Sequence, residues 1–113
     1  MKLVLVSVDD RYQERVYTFA WPPPHGVVWI GRGEESDLVL AHETVALRHA
    51  KVWVEGERVF VEDCSQTESG TTVGGVRVSG VDLVDPDDTI QIGAVALTVH
   101  DPRVSPLTQH SAR

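Results

Sequence analysis

Apolar and polar residues alternate with period two along much of the chain. The pattern is clearest at residues 2–8, Lys-Leu-Val-Leu-Val-Ser-Val, and at residues 51–55, Lys-Val-Trp-Val-Glu. Such alternation is typical of β-strands that bury one face. No stretch has an apolar stripe of helical period. The pattern predicts ten strands, near residues 2–8, 14–20, 26–31, 37–40, 48–55, 57–63, 71–73, 76–78, 88–92 and 95–100.

Residues with turn chemistry separate these predicted strands. They include Asp-Asp at 9–10, Glu-Gly-Glu at 55–57, Gly-Gly at 74–75 and Asp-Pro-Asp-Asp at 85–88. The Gly-Gly pair predicts a tight hairpin with positive φ angles. Short strands at regular spacing, without helices between them, predict an all-β fold. We expect a two-sheet β-sandwich of about ten to eleven short strands.

Length and composition predict one folded domain. The chain has 113 residues, of which 42% are hydrophobic and 24% are charged, as in ordinary soluble proteins. Residues 1–100 carry the strand pattern, whereas residues 101–113 lack periodicity and predict a flexible tail or the start of a linker. The Trp-Pro-Pro-Pro-His segment at 21–25 predicts a loop or the cover of a sheet edge, with an SH3-type ligand as the alternative.

Charge and the amino-terminal pattern limit the classes of partner. The formal net charge of −7 disfavours nucleic acid and anionic membrane surfaces. The first residues lack the apolar region of a signal peptide, and no run approaches the ~20 apolar residues that span a bilayer. The single cysteine, Cys64, fits a reducing compartment. These features predict a cytoplasmic protein whose partner is another protein, with monomer as the default state.

The sequence lacks a convincing catalytic or metal-binding constellation. Cys64 has no neighbouring residue that would activate its thiol, so a buried or edge thiol is the better interpretation. The five histidines lack metal-ligand spacing. The Gly-Arg-Gly at 31–33 lacks the strand–loop–helix context of a nucleotide-binding loop. We therefore expect no enzyme, no metal and no cofactor.

Four sequence blocks point to a known family. They are Val-Trp-Ile-Gly-Arg at 28–32, followed by a short predicted strand at 36–40; Ala-Leu-Arg-His-Ala at 46–50; the loop at 61–71, which leads to Val-Gly-Gly; and Asp-Asp-Thr-Ile-Gln-Ile-Gly at 87–93. In order and spacing they resemble the forkhead-associated (FHA) family. The corresponding family blocks are Gly-Arg, Ser-Arg-x-His-Ala, Asp-x-x-Ser-x-Asn-Gly-Thr before Val-Asn-Gly, and Gly-Asp-x-Ile-x-Ile-Gly.

The resemblance implies a β-sandwich whose loops at one end bind a phosphothreonine peptide. It implies that Arg32 binds the phosphate and that His49 braces the loops, with Gly31, Gly70 and Thr71 in supporting structural roles. A guanidinium is a planar fork of donors that fits a phosphate dianion. The candidate phosphopeptide-binding residues, expected to lie together, are Arg32, Ala46, Leu47, Thr67, Ser69 and Gly74.

Several of these positions depart from the family pattern. Ala46 replaces a serine, Leu47 a basic or polar residue, and Gly74 and Ser69 asparagines. Four acidic residues lie within a few residues of Arg32 or of the Ala46 loop: Glu34, Glu35, Asp37 and Glu43. Losing these donors costs roughly 3–6 kcal/mol at ~0.5–3 kcal/mol per hydrogen bond. We therefore expect a non-catalytic protein-interaction module in signalling or regulation, with weak or absent phosphothreonine recognition. The alternative is a functional phosphothreonine binder that uses Arg32 and substitute hydroxyl donors in the 65–71 loop.

Overall fold

The computed structural model describes residues 2–20, 26–56, 58–68, 70–85 and 88–100. The structural statements below refer to these residues. The predictions made for the proline-rich segment at 21–25, for Ser69 and for the tail at 101–113 lie outside them.

The described chain consists of strands, turns and loops. The strands are β1 (Lys2–Val8), β2 (Glu14–Ala20), β3 (Val28–Gly31), β4 (Leu38–Val39), β5 (Ala50–Glu55), β6 (Arg58–Asp63), β7 (Thr71–Val73), β8 (Val76–Arg77), β9 (Val81–Val84), β10 (Thr89–Ile92) and β11 (Val95–His100). All ten predicted strands are present, and their ends differ from the prediction by at most two residues. Only β9 was missed. Within the described ranges, no helix is long and apolar enough to cross a membrane.

The strands form two sheets, which confirms the predicted all-β sandwich. One sheet has six strands in the order β2-β1-β11-β10-β7-β8, and the other has five in the order β4-β3-β5-β6-β9. Neighbouring strands are antiparallel except for β3 and β4, which are parallel. The predicted Gly-Gly hairpin joins β7 to β8, with φ of 57° at Gly74 and 83° at Gly75.

The core between the sheets is aliphatic. Alternate residues of the inner strands point into the core, as in Leu3 and Leu5 of β1 and Ile90 and Ile92 of β10. Every buried hydrophobic residue of the described chain is Leu, Ile, Val or Ala, while Tyr17 and Phe19 pack only at its margin. β-Branched and leucine side chains fit the pleated inner faces well, which explains why the alternation predicted the strands.

Loops from both sheets meet at one end of the sandwich, here called the loop end. The β4–β5 loop makes three contacts that tie the sheets together there. His42 Nε2 lies 3.2 Å from the Asp10 carboxylate, and the Ala94 amide donates to Thr44 Oγ1 at 2.8 Å. Further along the loop, the ring of His49 reaches the Gly70 carbonyl. These contacts hold the loops of the loop end in fixed positions. Their side chains can therefore face a ligand in a defined arrangement.

Candidate functional site

Gly31, the last residue of β3, allows two loops to approach each other closely. A Cβ atom at this position would lie 2.1 Å from the Leu47 carbonyl oxygen. Beyond it, the Arg32 amide donates to the Ala46 carbonyl at 2.9 Å, and the Gly33 amide donates to the Leu47 carbonyl at 3.1 Å. The structure therefore brings Arg32, Ala46 and Leu47 together at the loop end.

The side chain of Arg32 is exposed and anchored at one nitrogen. Its Nε donates to the Val45 carbonyl at 3.0 Å. Its two terminal nitrogens make no hydrogen bond or ion pair with any residue that the structure describes. The guanidinium is thus held in place while its outer fork stays free for an anion, which is the arrangement that phosphate binding requires.

His49 joins the β4–β5 loop to the β6–β7 loop. The ring is fully buried. Its Nδ1 accepts from the Ala46 amide at 3.0 Å, and its Nε2 lies 2.9 Å from the Gly70 carbonyl, to which it donates. The backbone amide of His49 also donates to Ile30 of β3. His49 is therefore a brace that positions both loops, and it has no free polar atom for a ligand.

The described hydroxyl groups of the β6–β7 loop and the start of β7, those of Ser65, Thr67 and Thr71, bond to groups of the same segment. Ser65 Oγ and Thr71 Oγ1 both donate to Asp63 Oδ1, at 2.8 and 2.9 Å. Thr67 Oγ1 accepts from the Gly70 amide at 3.0 Å and lies 3.0 Å from Ser65 Oγ. Because the Ser65 proton is used by Asp63, the Thr67 hydroxyl donates to Ser65. These hydroxyls build the loop, and an anion would have to displace internal bonds to recruit them.

Arg77 is a residue of the loop end that the sequence interpretation missed. It lies on β8, and its guanidinium donates to the backbone carbonyls of Thr67 and Glu68, the former at 2.7 Å. It also lies beside Gly70, where a Cβ would be 3.2 Å from Nη2. Arg77 has no counterpart in the family blocks. The one feature of the sequence that could have identified Arg77 is the period-two pattern, because it predicts the face of β8 on which Arg77 lies.

Gly74 does not join this group, contrary to expectation. It follows β7, whereas Gly70 precedes β7, so the four residue steps from Gly70 to Gly74 separate them by about 13 Å at ~3.3 Å per residue. Its amide donates to the Thr89 carbonyl, and a Cβ there would meet the Asp88 carboxylate. Gly74 therefore belongs to the opposite end of the sandwich from Arg32.

Leu47 and Arg48 point to different sides of the β4–β5 loop. The side chain of Leu47 is 56% exposed. The Arg48 guanidinium instead stacks on Trp29, with its carbon 4.9 Å from the ring centroid. Arg48 thus lies on the outer face of the five-stranded sheet, against Trp29. The cation closest in sequence to Ala46 is not available to the Arg32 fork.

A carboxylate lies over the residue that follows Arg32. The Glu35 carboxylate folds over Gly33, so that a Cβ at Gly33 would be 2.8 Å from its oxygen. At contact distance such a charge is hardly screened by salt. A groove of about 550 Å³ also opens at the loop end, but it is lined by residues such as Asp9, Arg11 and His42, and the described lining does not include Arg32. The described lining of this groove is therefore separate from the Arg32 fork.

The described residues at this end offer little reactive chemistry. Partial burial, together with the Glu62 carboxylate, raises the pKa of the Cys64 thiol, so the thiolate is scarce at neutral pH. No three His, Cys, Asp or Glu side chains of the described chain lie together in a way that could hold a metal ion.

Comparison with protein families and curated proteins gives consistent matches. A family model described as "FHA domain" matches residues 28–93. The FHA domain-containing protein FhaB of Mycobacterium tuberculosis is 33% identical over 70 residues, which are 62% of this chain and 44% of FhaB. The matched region thus spans less than half the length of that relative.

Solved structures share the fold. The FHA domain of the CT664 protein from Chlamydia trachomatis superposes with a TM-score of 0.75 at 16% identity and covers 89% of this chain and 98% of its own. Mycobacterium tuberculosis EmbR, solved in complex with a low-affinity phosphopeptide, superposes with a TM-score of 0.69 at 23% identity over 86% of this chain and 24% of its own. At these identities the superpositions establish the architecture.

Proposed function

Because this chain belongs to the FHA domain family, whose members are non-catalytic interaction modules that bind phosphorylated proteins, we propose that it is a protein-binding module with weak or absent phosphothreonine recognition. We place it in the cytoplasm, in signalling or regulation. The proposal rests on the side chains that lie next to Arg32. Its free guanidinium fork is flanked by Ala46 and Leu47, whose side chains cannot donate a hydrogen bond to phosphate.

Two further features support weak recognition. The Ser65 and Thr67 hydroxyls already bond within their loop, so using them on phosphate would sacrifice internal bonds. The Glu35 carboxylate lies over the Arg32–Gly33 turn and repels a dianion. An absent hydrogen bond to a charged group costs about 1.5–3 kcal/mol, so two absent donors weaken binding by roughly 100-fold or more.

The free guanidinium fork of Arg32 supports a second candidate function, which is low-affinity binding of phosphothreonine. Arg32 alone supports a phosphothreonine binder of low affinity, and EmbR was captured with a phosphopeptide described as low-affinity. In that case Arg32→Ala abolishes the residual binding and hardly changes thermal stability, because the side chain is exposed and loses one backbone contact.

Restoring the absent donors tests the proposal directly. The variant Ala46→Ser/Leu47→Arg supplies a hydroxyl and a cation next to Arg32, and we expect it to bind phosphothreonine peptides at least tenfold more tightly than the unmodified domain, since ~1.4 kcal/mol is a factor of ten. Both sites accept the change, because Ala46 is only half-buried and Leu47 is exposed.

The matched control is Ala46→Ser/Val16→Arg, which adds the same two groups but places the cation on β2, at a side chain 62% exposed on the other sheet. The control should gain only the effect of the hydroxyl and of the changed net charge. Equal gains in both variants would show that the Leu47 position does not face the phosphate.

A further inference from the structure

The outer edge of β2 is the longest open sheet edge of the described chain. Four strands are outermost in their sheets, of which β4 and β8 have two residues each, β9 has four and β2 has seven. β2 pairs with β1 through all seven residues in one unbroken register, and it contains no proline. Proteins normally shorten a free edge or interrupt it with proline or a bulge, because its backbone groups pair readily with another strand. The β2 edge has none of these protections.

β2 also projects beyond the rest of the sandwich. Five of its seven residues are exposed. Only Tyr17 and Phe19 are half-buried, at the margin of the core, and Val16 on the outer face is 62% exposed. The five-stranded sheet therefore leaves β2 largely uncovered, so that a further strand can approach its edge.

Alternation along the β1–β2 ladder decides which backbone groups this edge offers. The Asp9 amide donates to the Gln13 carbonyl at 3.2 Å where the hairpin closes. Every second residue of an antiparallel ladder exchanges bonds with its partner strand, so Arg15, Tyr17 and Phe19 bond to β1. No residue that the structure describes bonds to the backbone amides and carbonyls that point the other way. These groups belong to the alternate residues Glu14, Val16, Thr18 and Ala20.

The free backbone groups are self-complementary about Tyr17. If a second copy of β2 runs antiparallel with the two Tyr17 residues opposite each other, Val16 faces Thr18 and Glu14 faces Ala20. All the outward residues then pair with one another, four pairs with two bonds each, or about eight hydrogen bonds. A shift of the register by one residue would oppose free and used groups, and a shift by two would lose two of the seven residue pairs. The symmetric register therefore uses the whole edge.

The side chains are complementary in the same register. The two Tyr17 rings meet in a non-hydrogen-bonded pair, where side chains are closest, and Arg15 meets Phe19 of the second copy in a cation–π pair. On the other face, the β-branched Val16 meets Thr18. Each charged residue of β2 faces an uncharged one, so like charges do not oppose each other. This match favours a second copy of the domain as the occupant.

We propose that two copies of this domain associate antiparallel through β2, about Tyr17, and join their six-stranded sheets into one continuous sheet. The residues 101–113 contain two prolines and no alternation, and are a poorer partner for the edge. Seven paired residues give a contact strip about 24 Å long and about 10 Å thick, well below the ~800 Å² per partner of a standard stable interface. The dimer is therefore weak, with a dissociation constant of roughly 10–500 μM. The proposal does not depend on the state of the Arg32 site.

Sedimentation equilibrium of the unmodified domain between about 10 μM and about 1 mM tests the association, because a dimer forms in proportion to concentration. Thr18→Pro removes an amide that points away from β1, so it blocks the edge without breaking a β1–β2 bond, and thermal denaturation verifies the fold. We expect this variant to weaken the dimer at least tenfold. The matched control Thr18→Val keeps the amide and the β-branched side chain, and should change the dissociation constant less than about threefold.

Cysteine cross-linking tests the register. In a Cys64→Ser background, Tyr17→Cys places two thiols in a directly opposed pair with Cα atoms ~4.5 Å apart, which a disulfide can bridge. Val16→Cys places them on a diagonal ~7–8 Å apart, which it cannot bridge without backbone movement. Under mild oxidation we expect covalent dimers from Tyr17→Cys and far fewer from Val16→Cys.

The controls separate this proposal from the previous one. Arg32→Ala should leave the association unchanged, and a loss of the dimer in that variant would assign the contact to the loop end instead. Three other results would overturn the proposal: a domain that stays monomeric at about 1 mM, which leaves the edge to the tail or to another protein; equal effects of Thr18→Pro and Thr18→Val; or faster cross-linking through Val16→Cys than through Tyr17→Cys.

Discussion

Replacing Gly31 by alanine perturbs the contact on which the loop end is built. The added Cβ would lie 2.1 Å from the Leu47 carbonyl oxygen, whereas ordinary contact begins at 3.4 Å, so the two backbones must separate by more than 1 Å. The atom that it meets belongs to the backbone of a loop that His49 also holds, so it cannot rotate away as a flexible side chain would. Separation breaks the bonds from the Arg32 and Gly33 amides to Ala46 and Leu47.

The expected loss of stability is the sum of the overpacking and of the broken backbone hydrogen bonds. Overpacking costs ~1–3 kcal/mol and each lost backbone hydrogen bond ~0.5–1.5 kcal/mol, which gives a decrease of about 3 kcal/mol in the free energy of unfolding. At ~4–8 °C per kcal/mol for a domain of this size, the Tm falls by roughly 12–24 °C. Urea titration monitored by tryptophan fluorescence measures the change, and the m-value shows whether unfolding stays two-state.

Gly33→Ala is the matched control. The three atoms nearest to a Cβ at Gly33 all belong to the carboxylate of Glu35, the mobile end of a flexible side chain, and the φ of Gly33 is not positive. Although Gly33 is buried, we expect its substitution to cost less than about 1 kcal/mol, because the Glu35 side chain can move aside. Equal losses for the two variants, or a loss below about 1 kcal/mol for Gly31→Ala, would refute the close approach of the two loops.

Three further predictions concern the same end of the domain. His49→Ala removes a buried ring and leaves the Ala46 amide and the Gly70 carbonyl without their partner, so urea titration should show a loss of ~3–5 kcal/mol, of which His49→Gln recovers part. Arg77→Ala should speed amide hydrogen exchange in residues 65–70, because two loop carbonyls lose their donor, while exchange in β1 stays unchanged. The raised pKa of Cys64 should make its alkylation at pH 7 slower than that of glutathione, and Glu62→Gln, which removes one cause of the shift, should accelerate it.

The sequence predicted most of the fold because the inner faces of the strands are regularly apolar. It missed β9 because Val81–Val84 is short and has apolar residues on both faces, Val81 and Leu83 outward and Val84 inward. Period two therefore carried little information there. The position of Val81 and Leu83 on the outer face of the sheet became clear only from the strand order, which places β9 beside Phe60 of β6.

The candidate site was predicted in part. The Gly-Arg and His blocks identified Arg32, Ala46, Leu47 and His49 because each block is a local feature at the end of a strand. The placement of Gly74 was wrong for a reason visible in the sequence, since the predicted strand at 71–73 already separates it from the β6–β7 loop.

Tertiary contacts account for what the sequence could not supply. That the Ser65 and Thr67 hydroxyls are used within their loop depends on Asp63 and Gly70, and the role of Arg77 depends on the β7–β8 hairpin returning toward Thr67. None of these contacts leaves a periodic pattern along the chain.

The most direct test of the incomplete site is a fluorescence-anisotropy titration of the unmodified domain with a phosphothreonine peptide library and the same peptides without phosphate. With Ala46 and Leu47 beside Arg32, we predict dissociation constants weaker than roughly 100 μM for every phosphopeptide, which corresponds to less than about 5.5 kcal/mol of binding free energy. Low-micromolar binding that depends on the phosphate and disappears in Arg32→Ala would contradict the account, because hydroxyls of the β6–β7 loop would then have to leave Asp63 and complete the site.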